Sequence, residues 1–336
     1  MAYSATIGFF DGVHIGHRYL IDQLLHTAQT NGTSSAIITF ATHPRLLTEG
    51  EQPPLLTTYD ERIELLRQTG VKQIFCFDFA VVKDMTAQEF MQVLVNQCQV
   101  TTLLMGYDHR FGASGHSGAS MNFDQYKQLG AEVGLEVLPI GQAPQGAISS
   151  TQIRRALEEG HIEQANEMLG YAYSLSGEVV HGRHVGTDLG FPTANIQVAK
   201  EKLLPKHGVY IGRLRGASGV SGHSGASEHT DIKVLVNIGT NPTFGENETT
   251  VEVHIPKWGK DLYGKHLTVE LTAFVRDEQR FDSPADLQAQ IQKDLLKVFQ
   301  DHLHIFSQDS LLNSKLFCTF ASSYEKYVIS MLLICD

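Results

Sequence analysis

Residues 6–17 read Thr-Ile-Gly-Phe-Phe-Asp-Gly-Val-His-Ile-Gly-His, and they constrain the fold of the N-terminal half more than any other segment. The apolar run at the start of this segment has strand character. It ends at the turn pair Asp11-Gly12, and a helical pattern begins a few residues later. His14 and His17 should therefore lie about one turn apart at a helix N-terminus, where backbone N–H groups favour anions.

The histidine pair allows two interpretations. Two imidazoles beside a helix N-terminus suit the charge that builds on phosphorus during nucleotidyl transfer. Gly16 between them has no side chain, so a phosphate or a purine can approach the backbone closely. The alternative is a pair of surface histidines on an ordinary helix.

Length, charge and cysteine content set the broad class. A chain of 336 residues is expected to form two domains. The net charge of −11 argues against a nucleic-acid partner, although it does not exclude nucleotide substrates. The 4 cysteines have neither paired metal spacing nor a disulfide framework, and we find no signal segment or membrane-length apolar run. These features favour a soluble, reduced, cytoplasmic protein with no membrane association.

Up to about residue 170, short strand-like runs alternate with longer helical patterns. This order predicts a parallel sheet with helices on its faces, and ligands then gather at the carboxyl ends of the strands. The predicted strands cover residues 36–40, 73–77, 102–105 and 136–140, and the predicted helices cover residues 60–68, 87–98, 124–134 and 151–159.

Beyond residue 171 the strand-like runs follow one another with few helices between them. This pattern predicts an antiparallel barrel or sandwich closed by a helix over residues 284–299. Residues 303–336 fit neither pattern and are expected to form an appendage. The predicted strands cover residues 176–180, 209–214, 233–238, 250–255 and 267–275.

Two further segments of the N-terminal half bear on the histidine pair. Ser149, Ser150 and Thr151 stand at a predicted helix start with Arg154 on its first turn. Three hydroxyls and an arginine match a triphosphate, and N-capping of the helix is the alternative. Asp108 follows a predicted strand, where it would orient a substrate or a metal ion, or simply form a turn.

The C-terminal half carries a motif of its own, Gly-Phe-Pro-Thr-Ala-Asn over residues 190–195. The hydroxyl of Thr193 and the amide oxygen of Asn195 should point to one face, and hard oxygen ligands of this kind suit Mg²⁺ with a nucleotide phosphate. A Pro-Thr turn with an Asn cap is the alternative. Glu252 lies within a strand-like run, where it is either a functional carboxylate or part of a solvated face.

The quoted motifs resemble a known family. His-Ile-Gly-His with a downstream Ile-Ser-Ser-Thr-x-Ile-Arg is similar to the HxGH nucleotidyltransferase superfamily. Gly-Phe-Phe-Asp-Gly-Val-His, Gly-Tyr-Asp-His-Arg-Phe-Gly, Gly-Phe-Pro-Thr-Ala-Asn and Val-Glu-Val-His narrow the resemblance to the bacterial bifunctional riboflavin kinase/FAD synthetases, over residues 5–301.

The resemblance implies an α/β plus β architecture. A Rossmann-like HxGH nucleotidyltransferase domain, an FMN adenylyltransferase, would occupy residues 1–170. A small antiparallel β-barrel riboflavin kinase domain would occupy residues 171–302. Residues 303–336 would lie outside the family resemblance.

The resemblance also implies roles for individual residues. In the first domain His14 and His17 would stabilise the α-phosphate transition state. In the second, Glu252 would be the base, and Thr193 and Asn195 would bind Mg²⁺ with ATP. Further ATP or phosphate contacts would come from Gly8, Phe9, Gly16, Ser149, Ser150, Thr151, Arg154, Gly182, Gly186 and Thr193, and flavin contacts from Asp108 and Arg110.

The chemistry of the two reactions agrees with this division. Phosphorylating riboflavin requires attack by a neutral hydroxyl, so a carboxylate base is useful. Adenylylating FMN requires attack by a phosphate oxygen that is already ionised, so alignment and charge stabilisation suffice. We therefore expect an enzyme that converts riboflavin to FMN and FMN to FAD, with ATP as co-substrate, Mg²⁺ as cofactor and pyrophosphate as the second product of FAD formation.

Two departures from the family pattern leave alternatives open. The family usually shows a proline where this chain has Thr42, and a basic residue where it has Thr187. The departure at Thr187 leaves a flavin-binding regulator with one inactive module, the kinase, as a second hypothesis. A tRNA synthetase also carries His-Ile-Gly-His, but this chain lacks a Lys-rich second motif. A pantetheine-phosphate or cytidylyl transferase would share only the first half.

Overall fold

The N-terminal half forms a five-stranded parallel sheet. The computed structural model describes residues 1–106, 111–112, 121–141, 143–144, 146, 148–182, 191–215, 232–240, 249–256 and 261–308, with side chains as far as residue 298. The strands are β1 (Tyr3–Ile7), β2 (Ser34–Phe40), β3 (Gln73–Phe77), β4 (Val100–Gly106) and β5 (Glu136–Ile140), and their order in the sheet is β3-β2-β1-β4-β5.

The connections between these strands are helical, and several begin with reciprocal side-chain caps. In α3, for example, the Thr58 hydroxyl accepts from the Glu61 N–H while Glu61 accepts from the Thr58 N–H. The helices are α1 (Ile15–Thr30), α2 (Pro44–Thr48), α3 (Tyr59–Gln68), α4 (Phe79–Val82), α5 (Ala87–Asn96), α6 (Phe123–Val133), α7 (Ser150–Glu159) and α8 (Ile162–Leu169).

Helices cover both faces of the sheet because successive strand residues point to opposite sides. In β2, Ile37 packs with Ile21 and Leu24 of α1. Its neighbour Ile38 belongs to the cluster on the other face, with residues of α5 such as Met91. Strand β2 is therefore almost continuously apolar from Ala36 to Phe40, and the predicted Rossmann-like architecture is confirmed.

The C-terminal half is a closed antiparallel barrel rather than a sandwich. Its strands are β6 (Ser174–Val180), β7 (Thr193–Val198), β8 (Gly208–Arg215), β9 (Ile232–Thr240), β10 (Thr249–His254) and β11 (His266–Asp277), in the order β10-β7-β6-β11-β8-β9. The last helix, α9 (Pro284–Gln308), covers the outside of the barrel with Leu295 and Val298 against Leu235.

The two halves share one apolar core. Barrel-interior residues such as Ile196 and Val236 belong to the same buried cluster as Leu157 of α7, Leu169 of α8 and Leu56 of the first half. Across the described part of the chain, no helix is both long and apolar enough to cross a membrane.

The structure differs from the sequence predictions at several element ends. The first strand was expected over residues 5–10 but covers Tyr3–Ile7. It cannot extend through Phe10, which takes a left-handed backbone conformation with φ 59°. Residues 193–198, for which no strand was predicted, form β7, so the last three residues of the Gly-Phe-Pro-Thr-Ala-Asn motif lie in a strand. Helix α9 continues to Gln308, beyond the predicted end at residue 299. The short helices α2 and α4 and the helix α8 were not predicted.

Candidate active sites

The histidine pair lies where the sequence placed it, at the N-terminus of α1. His14 is the N-cap residue, and its Nδ1 accepts a hydrogen bond from the backbone N–H of His17 at 3.3 Å. The two imidazoles stack, with ring centroids 3.6 Å apart and an interplanar angle of 18°. The edge of the pair is closed by Phe10, whose ring centroid lies 5.2 Å from that of His17.

Burial keeps both imidazoles neutral near pH 7. It lowers the pKa of His14 to about 4, although the charge of Asp11 acts in the opposite direction. Burial also lowers the pKa of His17 well below its usual value, and His14 lowers it further. Since Nδ1 of His14 is an acceptor, its proton is assigned to Nε2. Nδ1 of His17 is buried and has no hydrogen-bond partner among the described residues.

Three residues predicted to contact ATP, two glycines and one phenylalanine, lie against aromatic rings. A Cβ added at Gly16 would lie 3.2 Å from the His14 ring, and one added at Gly8 would lie 3.0 Å from the Phe10 ring. Phe9 packs against His43 with ring centroids 4.6 Å apart. The close approach of these rings explains why Gly8 and Gly16 carry no side chain. The predicted contacts of Gly8, Phe9 and Gly16 with ATP stay predictions.

The three hydroxyl residues at the start of α7 have different environments. Ser149 is the N-cap residue of α7 and accepts a hydrogen bond from the N–H of Gln152. N-capping was the alternative to phosphate binding for these hydroxyls. The Ser150 hydroxyl donates to the carbonyl oxygen of Asp11 at 3.0 Å, which ties α7 to the loop before the histidines. Thr151 is exposed. Their contact with phosphate stays a prediction.

Asp11 is a central residue of the site that the sequence reading treated only as part of a turn. Its carboxylate is 4% exposed and accepts from the backbone N–H groups of Leu56 and Thr57, each at 3.0 Å. Nη2 of Arg154 donates to the same carboxylate at 2.6 Å, and Nε of Arg154 donates to the carbonyl oxygen of Pro54. Arg154 is thus fixed by two contacts close to the histidine loop.

Arg62 is a second residue that the sequence reading missed. It is fully buried in α3, its Nη2 donates to the carbonyl oxygen of Phe40 at 2.6 Å, and its guanidinium lies 3.8 Å from the centroid of the Phe9 ring. Nε and Nη1 have no hydrogen-bond partner within the described residues. Arg62 lies four residues before the buried Leu66, so helical periodicity would have placed the two on the same inner face of α3.

Three predicted residues, Asp108, Arg110 and Gly186, lie outside the described residues. Their assignment to flavin or to ATP stays a prediction.

The candidate residues of the second half meet on the outer face of the barrel. In the ladder between β7 and β10, Asn195 pairs with Glu252 and Thr193 pairs with His254. Directly opposed residues share a face of an antiparallel pair, with Cβ atoms roughly 5 Å apart. Ala194 and Val253, which alternate with them, point into the barrel core. Thr193, Asn195 and Glu252 therefore form one oxygen-rich group.

The environment of Asn195 suits an oxygen-binding cation. Its side-chain Oδ1 is buried and has no hydrogen-bond partner in the described part of the structure. A Cβ added at Gly182 would overlap the Asn195 amide, so the glycine lets the two backbones approach closely. His254 donates from Nδ1 to the carbonyl oxygen of Pro192 at 2.9 Å, which fixes the strand end that carries Thr193.

Comparison with family models divides the chain in two. A model described as FAD synthetase matches residues 2–152, and a model described as riboflavin kinase matches residues 169–300.

Curated relatives cover both stretches. The bifunctional riboflavin kinase/FMN adenylyltransferase of Listeria monocytogenes is 32% identical over 293 residues, which is 86% of this chain and 89% of the relative. The protein of the same name from Escherichia coli K12 is 34% identical over 296 residues, 87% of this chain and 90% of the relative.

The overall arrangement also occurs in a solved structure. A crystal structure from Streptococcus pneumoniae, described as a macrolide-efflux protein, is similar with a TM-score of 0.75 and 27% identity. The likeness covers 87% of this chain and 92% of that chain.

Proposed function

The chain belongs to the family of bifunctional riboflavin kinase/FMN adenylyltransferases, and on this premise we propose how its residues divide the two reactions. With ATP as co-substrate, the enzyme phosphorylates riboflavin to FMN and adenylylates FMN to FAD. We assign adenylylation to the sheet domain, taken as residues 1–170, and phosphorylation to the barrel, taken as residues 171–302.

In adenylyl transfer, an ionised phosphate oxygen of FMN attacks the α-phosphorus of ATP. One P–O bond forms, the bond between the α- and β-phosphates breaks, and pyrophosphate leaves. The neutral imidazoles of His14 and His17 donate N–H groups to the charge that develops on the α-phosphate. Arg154 and the hydroxyls at the start of α7 hold the other phosphates. The step needs no base, and Asp11, the carboxylate beside the histidines, is already occupied by several donors.

In phosphoryl transfer, a hydroxyl of riboflavin attacks the γ-phosphorus of ATP and ADP leaves. Glu252 takes the proton of that hydroxyl. Thr193 and Asn195 would hold Mg²⁺ together with the nucleotide phosphates, and the ion would offset phosphate charge. The observation that supports this assignment is the pairing of Asn195 with Glu252. It puts beside a carboxylate an amide oxygen that has no hydrogen-bond partner among the described residues.

The cellular location follows as part of the same proposal. Both reactions consume ATP, and Cys76 and Cys98 are free thiols. We therefore expect the enzyme to work in a reducing, ATP-containing compartment, the cytoplasm.

The division of labour is testable by reciprocal substitution. His17→Ala should lower FMN adenylylation by about 10²- to 10³-fold, because it removes a donor to the developing charge. Glu252→Gln should lower riboflavin phosphorylation by about 10²- to 10⁴-fold, because it removes the base. Each variant is incubated with Mg-ATP and either riboflavin or FMN, and the flavins are separated chromatographically.

Matched controls lie on the same helix and the same barrel. His26→Ala changes an exposed histidine of α1, and Glu178→Gln changes an exposed glutamate of β6, so both should leave both activities intact. If either test variant lost both activities while remaining folded, the two-site assignment would be wrong. The regulator hypothesis predicts flavin binding without ATP turnover in the unmodified protein.

A further inference from the structure

A segment of the sheet domain, residues 54–61, lies against the barrel and is paired with it. The N–H of Leu55 donates to the carbonyl oxygen of Glu201, and the N–H of Leu203 donates to the carbonyl oxygen of Leu55, both at 2.7 Å. Leu55 and Lys202 thereby form an isolated parallel β-bridge. This segment is therefore fixed by the barrel as well as by its own domain.

The same segment holds the phosphate-side arginine of the adenylylation site. Pro54 accepts from Nε of Arg154 at 2.7 Å, and the N–H groups of Leu56 and Thr57 bind the Asp11 carboxylate that accepts from Nη2 of Arg154. Both of these hydrogen bonds of the guanidinium therefore depend on where residues 54–57 lie. A displacement of this segment would move Arg154.

Lys202 sits at the junction. Its side chain is 2% exposed, and its Nζ donates to the carbonyl oxygen of Leu56 at 2.8 Å and to Oε2 of Glu61 at 2.6 Å. The other carboxylate oxygen of Glu61 accepts from the hydroxyl of Ser176 in the barrel at 2.7 Å. A buried charge of this kind persists only when it is paired and hydrogen-bonded.

We propose that Lys202, which lies in the stretch matched by the riboflavin kinase model, is a positioning residue for adenylylation in the other domain. Through Leu56 and Glu61 it fixes residues 54–57, these fix Asp11, and Asp11 fixes Arg154. The inference depends on the proposed role of Arg154 in holding ATP phosphates. It means that the kinase barrel completes the adenylylation site.

The test compares Lys202→Met with Lys200→Met in the full-length enzyme. Lys200 is two residues away and exposed, so its substitution controls for the loss of a lysine from this strand connection. Lys202→Met should lower kcat/KM for FMN adenylylation by about 10- to 100-fold, the order of loss expected when a reacting group is displaced by a mutation outside the site. Riboflavin phosphorylation should change less than about twofold, within the scatter expected for a site that is not touched.

A second variant separates positioning from stability. Lys202→Met alone leaves the buried charge of Glu61 unpaired, which destabilises the protein. Lys202→Met with Glu61→Gln removes both charges, and glutamine still serves as the capping partner of Thr58. This double variant should regain thermal stability but keep the adenylylation defect, because the hydrogen bond to Leu56 is still missing. Recovery of adenylylation together with stability would reduce Lys202 to a purely structural residue and overturn the proposal.

A double-mutant cycle tests the route through Arg154. Arg154→Lys should cost adenylylation much less in the Lys202→Met background than in the unmodified enzyme, because the two residues act on the same contact. The inference would be contradicted if the losses caused by Arg154→Lys and Lys202→Met were additive. It would also be contradicted if Lys202→Met alone lowered both activities equally or left adenylylation unchanged. If Arg154→Lys itself leaves adenylylation unchanged, the proposed phosphate role of Arg154 fails instead.

Discussion

At the scale of single residues, the first site depends on keeping two imidazoles neutral. His14 and His17 stack face to face, and two protonated rings at this distance would repel each other. Burial has the same effect, since it penalises the charged form of each ring. The pair is therefore suited to donating hydrogen bonds to a phosphate near pH 7 without titrating there.

The lowered pKa of His14 should be visible in how the free energy of unfolding of the enzyme depends on pH. His14 has a pKa of about 4 in the folded protein and about 6.5 when unfolded. Between these values the unfolded chain binds a proton that the folded chain does not, so the free energy of unfolding falls as the pH is lowered from 6.5 towards 4. The loss attributable to His14 is about 3 kcal/mol at most, and above pH 6.5 this contribution is constant. Urea unfolding at a series of pH values measures it.

His14→Asn supplies the comparison for this measurement. Asparagine keeps an oxygen that can cap α1 but does not titrate, so the slope between pH 4 and 6.5 should become shallower. His17 would still contribute some slope. His26→Asn, at an exposed position of the same helix, should leave the slope unchanged. An unaltered slope in His14→Asn would show that His14 is not the group whose protonation destabilises the fold.

At the scale of elements, the second site depends on β7, a strand that the sequence patterns did not predict. Pairing of β7 with β10 sets Thr193, Asn195 and Glu252 on one face. Gly182, two residues beyond the end of β6, matters as well, because it lies so close to the amide of Asn195 that a side chain would not fit.

Gly182→Ala should therefore impair only the kinase reaction. The added methyl group would displace Asn195, so riboflavin phosphorylation should fall and KM for Mg-ATP should rise, by about tenfold if one metal or phosphate contact is lost. FMN adenylylation should be unchanged. Gly141→Ala is the matched control, since an added Cβ there meets no atom of the described residues within 4 Å. Steady-state kinetics with riboflavin and with FMN would show the difference, and a variant with unaltered phosphorylation would argue against a role for Asn195.

At the scale of the whole molecule, the two domains do not behave as separate units joined by a linker. Helices α7 and α8, the loop around Leu56 and the barrel interior form one buried cluster. Lys202 and Glu61 add a buried ion pair across the same boundary. A continuous core of this kind couples the stability of one domain to that of the other. A substitution at the boundary itself, such as Lys202→Met, is therefore expected to reach the adenylylation site.

The sequence by itself determined the alternation of strands and helices in the first half, the succession of strands in the second half, and the motifs that carry the candidate residues. Local patterns suffice for this: apolar alternation, capping residues, and glycine at turns act over a few neighbours along the chain. The helix start at Ile15 and strand β5 were predicted at their observed bounds for this reason.

Only the tertiary structure decided which residues distant in sequence share a function. Hydrogen bonds join Asp11 to Leu56 and to Arg154, and Lys202 reaches Leu56 from the other domain. No local propensity encodes such a contact, because the free energy that makes it comes from burial and hydrogen bonding that exist only once both domains have formed.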